Sequence, residues 1–234
     1  MTATLLFLSG AASAEDIEPR RWTPLPVDLT VIGVGTIRGA GDIAFDPLLE
    51  IQDATVETTT NFVSLLRTFD LFGQTARLDV RLPHQHSRWK GSLAGEPRTV
   101  DRRGPGDPRV RLSVNFLGSP ALRGKAFGAY RASRPVNTVA GAALAVVLPL
   151  GEYQKDKLLN LGQNRFVIRP QLGVVHSRGP WSAELTGSVS LYTDNRDFLV
   201  SHKREQEPLF ALQAHAIYTP PGGLWVSLSA AYDW

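Results

Sequence analysis

Charged side chains recur at every second position in several short segments of the sequence. Arg77, Asp79 and Arg81 alternate with apolar residues, and Arg109 and Arg111 repeat this spacing. Side chains two residues apart lie on the same face of a β-strand. Such rows could attract anions, or they could hold neighbouring strands together through cross-strand ion pairs. Both interpretations stay open, and we favour ion pairs because small barrels are usually filled by side chains.

The other reactive residues do not form a recognisable catalytic or metal motif. His84 and His86 share one face of a predicted strand, but a metal site needs a third ligand, which the sequence does not supply. Cysteine is absent, which excludes thiolate chemistry and disulfides. A lipase with His215 as its base is conceivable, yet nothing singles out a serine for it. We therefore predict no catalytic residue, no metal and no cofactor.

Long alternating segments predict half-buried β-strands. Apolar and polar residues alternate over about 9–11 residues, the length that a tilted strand needs to cross a bilayer. The clearest segments are 74–82, 108–116, 166–174, 181–191, 210–218 and 224–232. The longest uncharged apolar stretch, Val139–Gly151, is shorter than the about 18–20 residues of a membrane-spanning helix. Strands in a membrane must close into a barrel, because lipid cannot satisfy open sheet edges.

Short and long connections alternate between these segments. Tight links at 70–73, 177–180 and 220–223 separate long polar segments at 38–53, 84–107, 152–164 and 193–207. Outer-membrane barrels have this pattern, with short periplasmic turns and long external loops, although segment 118–135 is long where a turn is expected. Aromatic residues near strand ends could form membrane girdles or belong to the edges of a β-sandwich. They are Phe69, Phe72, Phe116, Trp181, Tyr192, Tyr218 and Trp225.

The N-terminus has the features of an export signal. A short apolar core, Leu5–Leu8, precedes the small residues Ala12–Ala14, so we predict a signal peptide at 1–14 and a barrel domain at 15–234. No basic residue precedes the apolar core, which is consistent with a start further upstream. Counting strands from Val27 gives about nine, whereas bacterial barrels normally have an even number. We therefore expect the barrel to be incomplete at its C-terminus.

Eight short segments form an ordered set along the chain: GDIAFDP (41–47), DATVE (53–57), DPRVRLSVN (107–115), LPLGEY (148–153), NLGQNRF (160–166), PQLGVVH (170–176), TDNRDF (193–198) and REQEPL (204–209). Together they resemble the outer-membrane transporters associated with the meta-pathway of phenol degradation. The resemblance covers nearly the whole chain after residue 14. It implies an all-β, antiparallel transmembrane barrel of about twelve strands. It also implies that the barrel admits aromatic or other weakly polar compounds.

We predict that one set of polar residues lines the barrel lumen and that a loop narrows it. The lumen candidates are Arg77, Asp79, Arg81, Arg109, Arg111, Asn115, Arg165, Arg169, Gln171, Glu184, Gln213 and His215. Phe45, Leu48, Leu49 and Ile51 are unusually apolar for an external loop, so they could constrict the mouth or pack on its rim.

The prediction for function is a channel or transporter for small organic compounds in the outer membrane of a Gram-negative bacterium. The alternatives are an outer-membrane enzyme of lipase type and a soluble periplasmic β-sandwich that binds a ligand. The expected partners are the lipid bilayer, small organic solutes and the barrel-assembly machinery. Nucleic acid is not expected, because the basic residues are scattered along the chain and the net charge is only +3.

Overall fold

The computed structural model describes residues 17–43, 51–199, 202–222 and 224–234. The described chain consists of antiparallel strands and one short helix. The elements are β1 (Thr30–Asp42), β2 (Ile51–Leu71), β3 (Gln74–Leu93), β4 (Glu96–Pro105), β5 (Arg109–Leu117), α1 (Gly124–Ser133), β6 (Val136–Val147), β7 (Val167–Arg178), β8 (Trp181–Tyr192), β9 (Asn195–Phe198), β10 (His202–Arg204), β11 (Leu209–Tyr218) and β12 (Val226–Asp233).

The strands form one curled antiparallel sheet in the order β1-β2-β3-β5-β6-β7-β8-β11-β12. The first half of β3 pairs with β5, and its second half, residues 84–93, pairs with β4. Strands β9 and β10 form a separate hairpin in the loop before β11. The predicted wall of about nine strands is therefore confirmed. Within the described ranges, β1 and β12 do not pair with each other, so the sheet is a half-barrel. Completion of the barrel by further strands stays a prediction.

Turn chemistry explains why the strands reverse where they do. Phe72 and Gly73 join β2 to β3 with positive φ angles, and the Gly73 N–H donates to the Asp70 carboxylate at 2.7 Å. Gly179, also at positive φ, closes the hairpin between β7 and β8. These links lie at one end of the sheet, the turn side. The long connections 148–166 and 193–208 lie at the other end, the loop side.

Two of the predicted long polar segments contain strand. The segment 84–107 continues β3 to Leu93 and returns as β4, and part of the segment 38–53 belongs to β1 and β2. The second half of β3 and its partner β4 form an extended ribbon, and most residues of this ribbon are polar and exposed. The alternation of apolar and polar residues that marks a strand is therefore missing from this part of the sequence. Cross-strand pairs stabilise the ribbon instead: the Asp101 carboxylate lies 2.7 Å from His86 Nε2 and 2.8 Å from Arg88 Nη2.

Two further connections differ from the sequence prediction. The first strand starts at Thr30 rather than Val27, because residues 17–29 leave the sheet and cross its face. The segment 118–135 is long because it contains α1, which packs at the turn side. No helix in the described part of the chain is long and apolar enough to span a membrane.

Candidate functional site

The two faces of the sheet differ sharply in chemistry. On β5, Arg111 is 4% exposed whereas the next residue, Leu112, is 45% exposed. On β8, Glu184 is 3% exposed and Leu185 is 45% exposed. We call the face with Arg111 and Glu184 the inner face and the other the outer face. On these strands the charged side chains are buried and the large apolar side chains are exposed. A sheet in a water-soluble protein has the opposite arrangement.

On β8, β11 and β12, at one edge of the sheet, aromatic side chains lie at both ends of the exposed outer face. At the turn side, the rings of Trp181 and Tyr218 lie 4.7 Å apart. At the loop side, the Trp234 ring stacks on Phe210 at 6.0 Å and on Tyr232 at 5.7 Å. Aromatic rows at two levels with an apolar band between them are typical of membrane-spanning barrels.

A segment that precedes the first strand covers the inner face. We call residues Ile17–Leu29 the strap. Its central residue, Trp22, is completely buried and forms an apolar cluster with Val139, Ala143 and Val175. Burial of an aromatic side chain of this size makes a large hydrophobic contribution to holding the strap in place.

Two glycines make room for the Trp22 ring. Gly141 of β6 and Gly173 of β7 are direct partners in the sheet, and we call them the glycine seat. A Cβ atom at Gly173 would lie 1.9 Å from Trp22 Nε1, and one at Gly141 would lie 2.5 Å from Trp22 Cε3. The indole N–H donates to the Thr186 hydroxyl at 2.8 Å, so the ring's single polar group is satisfied.

Glu18 of the strap lies within a group of arginines on the inner face. Arg109 donates to Glu18 Oε1 at 2.7 Å, Arg111 donates to Oε2, and Arg81 lies 3.9 Å from Oε1. We call Arg81, Arg109 and Arg111 the arginine cluster. Its members come from two paired strands, β3 and β5, and together they bracket both oxygens of one carboxylate.

The charges around Arg21 complete an ionic network between strap and wall. The Arg21 backbone N–H donates to Glu184 Oε1 at 2.9 Å, and its guanidinium donates to Asp79 Oδ2 at 3.4 Å. The same Asp79 oxygen accepts a bond from Arg77 at 2.9 Å and lies 3.6 Å from Arg111 Nε. The predicted cross-strand ion pairs therefore exist in part, and the strap supplies the remaining partners.

The end of the strap is fixed to the turn side of the sheet. The Thr68 hydroxyl donates to the Pro26 carbonyl at 2.6 Å and accepts a bond from the Leu29 N–H at 2.9 Å. The Val27 N–H donates to the Leu122 carbonyl at 2.9 Å. Because these bonds satisfy backbone groups at the point where the strap enters β1, they fix its exit direction.

The structure brings most of the predicted lumen residues to the strap. Asn115 donates to the Trp22 carbonyl at 3.4 Å, whereas Arg169 donates to Ser190 of β8, within the wall, at 2.9 Å. A small polar cavity lies beside the strap. Its lining residues are Glu18, Arg21, Arg109, Arg111, Arg169, Gln171, Thr186 and Gln213. A role in transport stays a prediction for all of them.

Arg165 and His215 make their contacts elsewhere. Arg165 lies just before β7, where it contacts Gln163 and Gln206 and stacks 4.5 Å above the Tyr192 ring. His215 Nδ1 lies 2.8 Å from the Ser229 hydroxyl, which is the type of pair that a lipase mechanism would use. In the described part of the chain, no hydrogen-bond partner reaches His215 Nε2, so the third group that would orient the ring is missing.

The remaining sequence predictions fall in other places. Phe45, Leu48 and Leu49, like the predicted signal peptide at 1–14, lie outside the described residues. Ile51 begins β2 and pairs with Leu93 in the extended ribbon. Among the described side chains, no group of three His, Asp or Glu residues could hold a metal ion. The sequence analysis does not identify the strap as part of the site; the run Arg20-Arg21-Trp22 after Glu18 is the only sequence feature that could have indicated it.

Comparison with known proteins connects this geometry to a family. The model of the family described as "Putative MetA-pathway of phenol degradation" matches residues 31–234. The chain belongs to this family. The resemblance inferred from the sequence segments is thus confirmed. No curated protein matches the chain.

The fold is similar to that of a solved membrane protein. The crystal structure of an outer membrane channel from Pseudomonas putida F1 superposes on this structure with a TM-score of 0.69 at 23% sequence identity. The similarity covers 94% of this chain and 77% of that channel. It confirms the predicted fold class, an antiparallel β-sheet of the outer-membrane channel type.

Proposed function

We propose that the protein is a channel in the outer membrane of a Gram-negative bacterium and that it lets small organic molecules pass. The observation that carries the proposal is the inverted polarity of the sheet. Large apolar side chains are exposed on the outer face, and arginines and carboxylates lie on the inner face of the same strands. A bilayer outside and an aqueous path inside would account for both faces.

The proposed substrates are small aromatic or weakly polar compounds. Two facts support this class: the family is named for phenol degradation, and the similar structure from Pseudomonas putida F1 is that of an outer membrane channel. The strap covers part of the inner face, so it would narrow the path that a solute takes. The protein would contribute selectivity through the charges on the inner face, without a chemical reaction of its own.

The proposal includes the route to the membrane. The predicted signal peptide would direct export through the periplasm, and the barrel-assembly machinery would insert the strands. Two alternatives make different predictions about location and activity. A soluble periplasmic β-sandwich would need no detergent, and an enzyme that uses Ser229 and His215 would hydrolyse an ester without transporting it.

Fractionation and transport assays test this function directly. The full-length protein should fractionate with the outer membrane and should migrate differently on gels before and after heating. Reconstituted liposomes should swell in a small neutral solute that lipid alone passes slowly, such as arabinose, faster than liposomes without protein. Recovery of folded protein in the soluble fraction, or ester hydrolysis that is lost in Ser229→Ala without any transport, would contradict the proposal.

The position of the membrane is tested by placing a charge on the outer face. Leu112→Arg puts a cation on the middle of β5, and we expect a destabilisation of about 2–4 kcal/mol if this position lies at the bilayer midplane. Leu150→Arg is the matched control, because Leu150 is also exposed but lies in the loop after β6. Refolding into detergent or lipid, followed by denaturant titration, measures both variants. Equal stability of the two variants would argue against the proposed lipid-facing surface.

A further inference from the structure

The outer face of β3 changes from apolar to basic along a single strand. Leu82, which is 53% exposed, is the last large apolar side chain of this face on β3. The next outward positions carry His84, His86 and Arg88, and all three side chains are exposed. Side chains two residues apart share one face of a strand, so the basic residues lie directly beyond the apolar band on its loop side.

Neighbouring strands extend this basic region across the sheet. His86 is the direct partner of Arg103 in β4 and of Thr59 in β2, and Thr59 is in turn the partner of Arg38 in β1. We call Arg38, His86, Arg88 and Arg103 the basic patch. Direct partners lie on the same face, and neighbouring strands are about 4.8 Å apart. The row from Arg38 to Arg103 therefore spans about 14 Å.

Nearby carboxylates balance only part of this charge. Asp101 forms ion pairs with the two middle members of the basic patch, and Glu57 lies 3.8 Å from Lys90, farther along the ribbon. Arg38 and Arg103 are exposed, and neither has an ion-pair partner within the described ranges of the chain. Two guanidinium groups at the ends of the row are thus accessible to an external anion.

The height of the basic patch matches the surface of a membrane. Eleven residues separate Gly73, in the turn before β3, from His84. At about 3.3 Å per residue and a strand tilt of about 40°, this length corresponds to about 28 Å along the membrane normal. The apolar band of an outer-membrane barrel is about 25 Å tall. The patch therefore lies at the level of the lipid headgroups on the loop side.

We propose that the basic patch binds the phosphate groups of a lipopolysaccharide molecule in the outer leaflet. This lipid is a glycolipid whose disaccharide headgroup carries two phosphates, and its acyl chains would lie on the apolar band below. Arg38 and Arg103 each bind one phosphate, since arginine forms charge-assisted, often bidentate hydrogen bonds with this group. The inference rests on the proposed location in the outer membrane and adds a lipid partner to the proposed channel.

Titration with purified lipid A tests the recognition of phosphate. Native mass spectrometry of the full-length protein in detergent measures binding of diphosphoryl lipid A and of the same lipid after enzymatic removal of both phosphates. The diphosphoryl form should bind about tenfold more tightly or better, because only this form offers anions to the two arginines. EDTA is present throughout, so that divalent cations cannot bridge lipid phosphates to Asp101 or Glu57.

Substitution of single arginines tests the position of the site. Arg103→Gln and Arg38→Gln should each weaken binding of diphosphoryl lipid A by about fivefold, the usual contribution of one basic residue at an anionic lipid surface. Arg98→Gln is the matched control, because Arg98 is exposed on the same strand as Arg103 but lies on the opposite face. It should leave the affinity unchanged. Heat-modifiable gel migration confirms that each variant is folded.

The outcomes separate this inference from the proposed function. Equal binding of the two lipid forms overturns phosphate recognition and leaves only contact between acyl chains and the apolar band. Equal losses in Arg103→Gln and Arg98→Gln overturn the basic patch, because they would show a response to net charge alone. Swelling of phospholipid liposomes that contain no lipopolysaccharide measures the channel independently, so that it can succeed when lipid binding fails and fail when the site is real.

Discussion

Trp22 and Phe62 are both aromatic side chains on the inner face, and each packs against glycine. Trp22 comes from the strap and lies on Gly141 and Gly173, where it is completely buried. Phe62 belongs to β2 and packs over Gly35, its direct partner in β1, where it is only half-buried. A Cβ atom at Gly35 would lie 2.4 Å from Phe62 Cζ, so the contact is nearly as close as the one beneath Trp22.

The difference between the two contacts lies in what else holds the partners together. Strands β1 and β2 are already joined by a continuous ladder from Thr30 to Asp42, so Phe62 adds packing to an existing connection. The strap has no ladder, and Trp22 is its main apolar contact with the wall. The same pairing of an aromatic ring with glycine therefore adds to an existing ladder in one place and is the main apolar contact in the other.

The largest expected effect comes from removing the two rings, because Trp22 anchors the strap whereas Phe62 only adds packing to paired strands. Trp22→Ala should weaken docking of the strap by about 3–5 kcal/mol, the usual cost of truncating a buried aromatic residue. Phe62→Ala should cost about 1 kcal/mol, because its ring is half-exposed and the ladder remains. Trypsin cleavage after Arg20 and Arg21 reports docking, since both residues lie within the strap.

Cleavage at these sites should become fast in Trp22→Ala and stay slow in Phe62→Ala and in the wild type. The gel mobility of the unheated protein serves as the control for the barrel, and it should not change in either variant. Equal protection of the strap in Trp22→Ala would mean that the ionic contacts of Glu18 and Arg21 are sufficient.

The sheet was predictable from the sequence because alternation is a local signal. Arg111 and Leu112 lie on opposite faces by strand geometry alone, and the structure places them so. The alternation was weakest around Phe62 and Val63, where apolar residues fall on both faces. The structure explains this: Phe62 fills the space above Gly35 on the inner face, and Val63 is exposed on the outer face.

The strap could not be predicted in the same way because it has no periodic pattern. Its position depends on contacts across long sequence distances, such as Glu18 with Arg111 and Trp22 with Thr186. Gly173 lies in a segment that is predicted as a strand, and a glycine in a strand often marks a close approach of another group. The sequence alone does not say which group approaches, and only the folded chain identifies it as Trp22.

Adding a methyl group beneath each ring is a finer test of the same comparison. Gly173→Ala should destabilise strap docking by about 1–3 kcal/mol, the typical cost of overpacking a buried site. The Trp22 ring has little freedom to move away, because it is fully buried and its N–H is bonded to Thr186. In Gly35→Ala, the half-exposed Phe62 ring can rotate towards solvent, so the cost should be smaller.

Gly39→Ala controls for the effect of alanine in a strand. No atom lies within 4 Å of a Cβ at Gly39, so this change should be neutral or stabilising by about 0.5–1 kcal/mol. Tryptic protection of the strap and thermal gel-shift midpoints measure all three variants. A Gly173→Ala protein whose strap is as protected as in the wild type would show that the glycine seat is wider than the structure indicates.

The smallest expected effect concerns the ion pair at the end of the strap. Asp28 accepts a hydrogen bond from Arg123 at the start of α1, and Arg67 lies 3.8 Å away. The hydrogen bond from Arg123 and the two positive charges lower the pKa of the Asp28 carboxyl. A lowered pKa means that the folded protein binds this proton less readily than the unfolded chain. The stabilisation is therefore present above the ordinary carboxyl pKa of about 4 and is lost as the pH falls through the lowered value.

Asp28→Asn should consequently be less stable than the wild type at neutral pH, with the difference disappearing below about pH 4. The effect should be small, because the pair is exposed to solvent and screened by salt. Asp107 provides a control of opposite sign: burial raises the pKa of its carboxyl, although the N–H groups of Gln163 and Gly151 oppose the shift. The wild type should therefore gain stability relative to Asp107→Asn as the pH falls through that raised value. Thermal gel-shift midpoints measured against pH distinguish the two, and a difference for Asp28→Asn that grows on acidification would exclude the proposed role of the Arg123 pair.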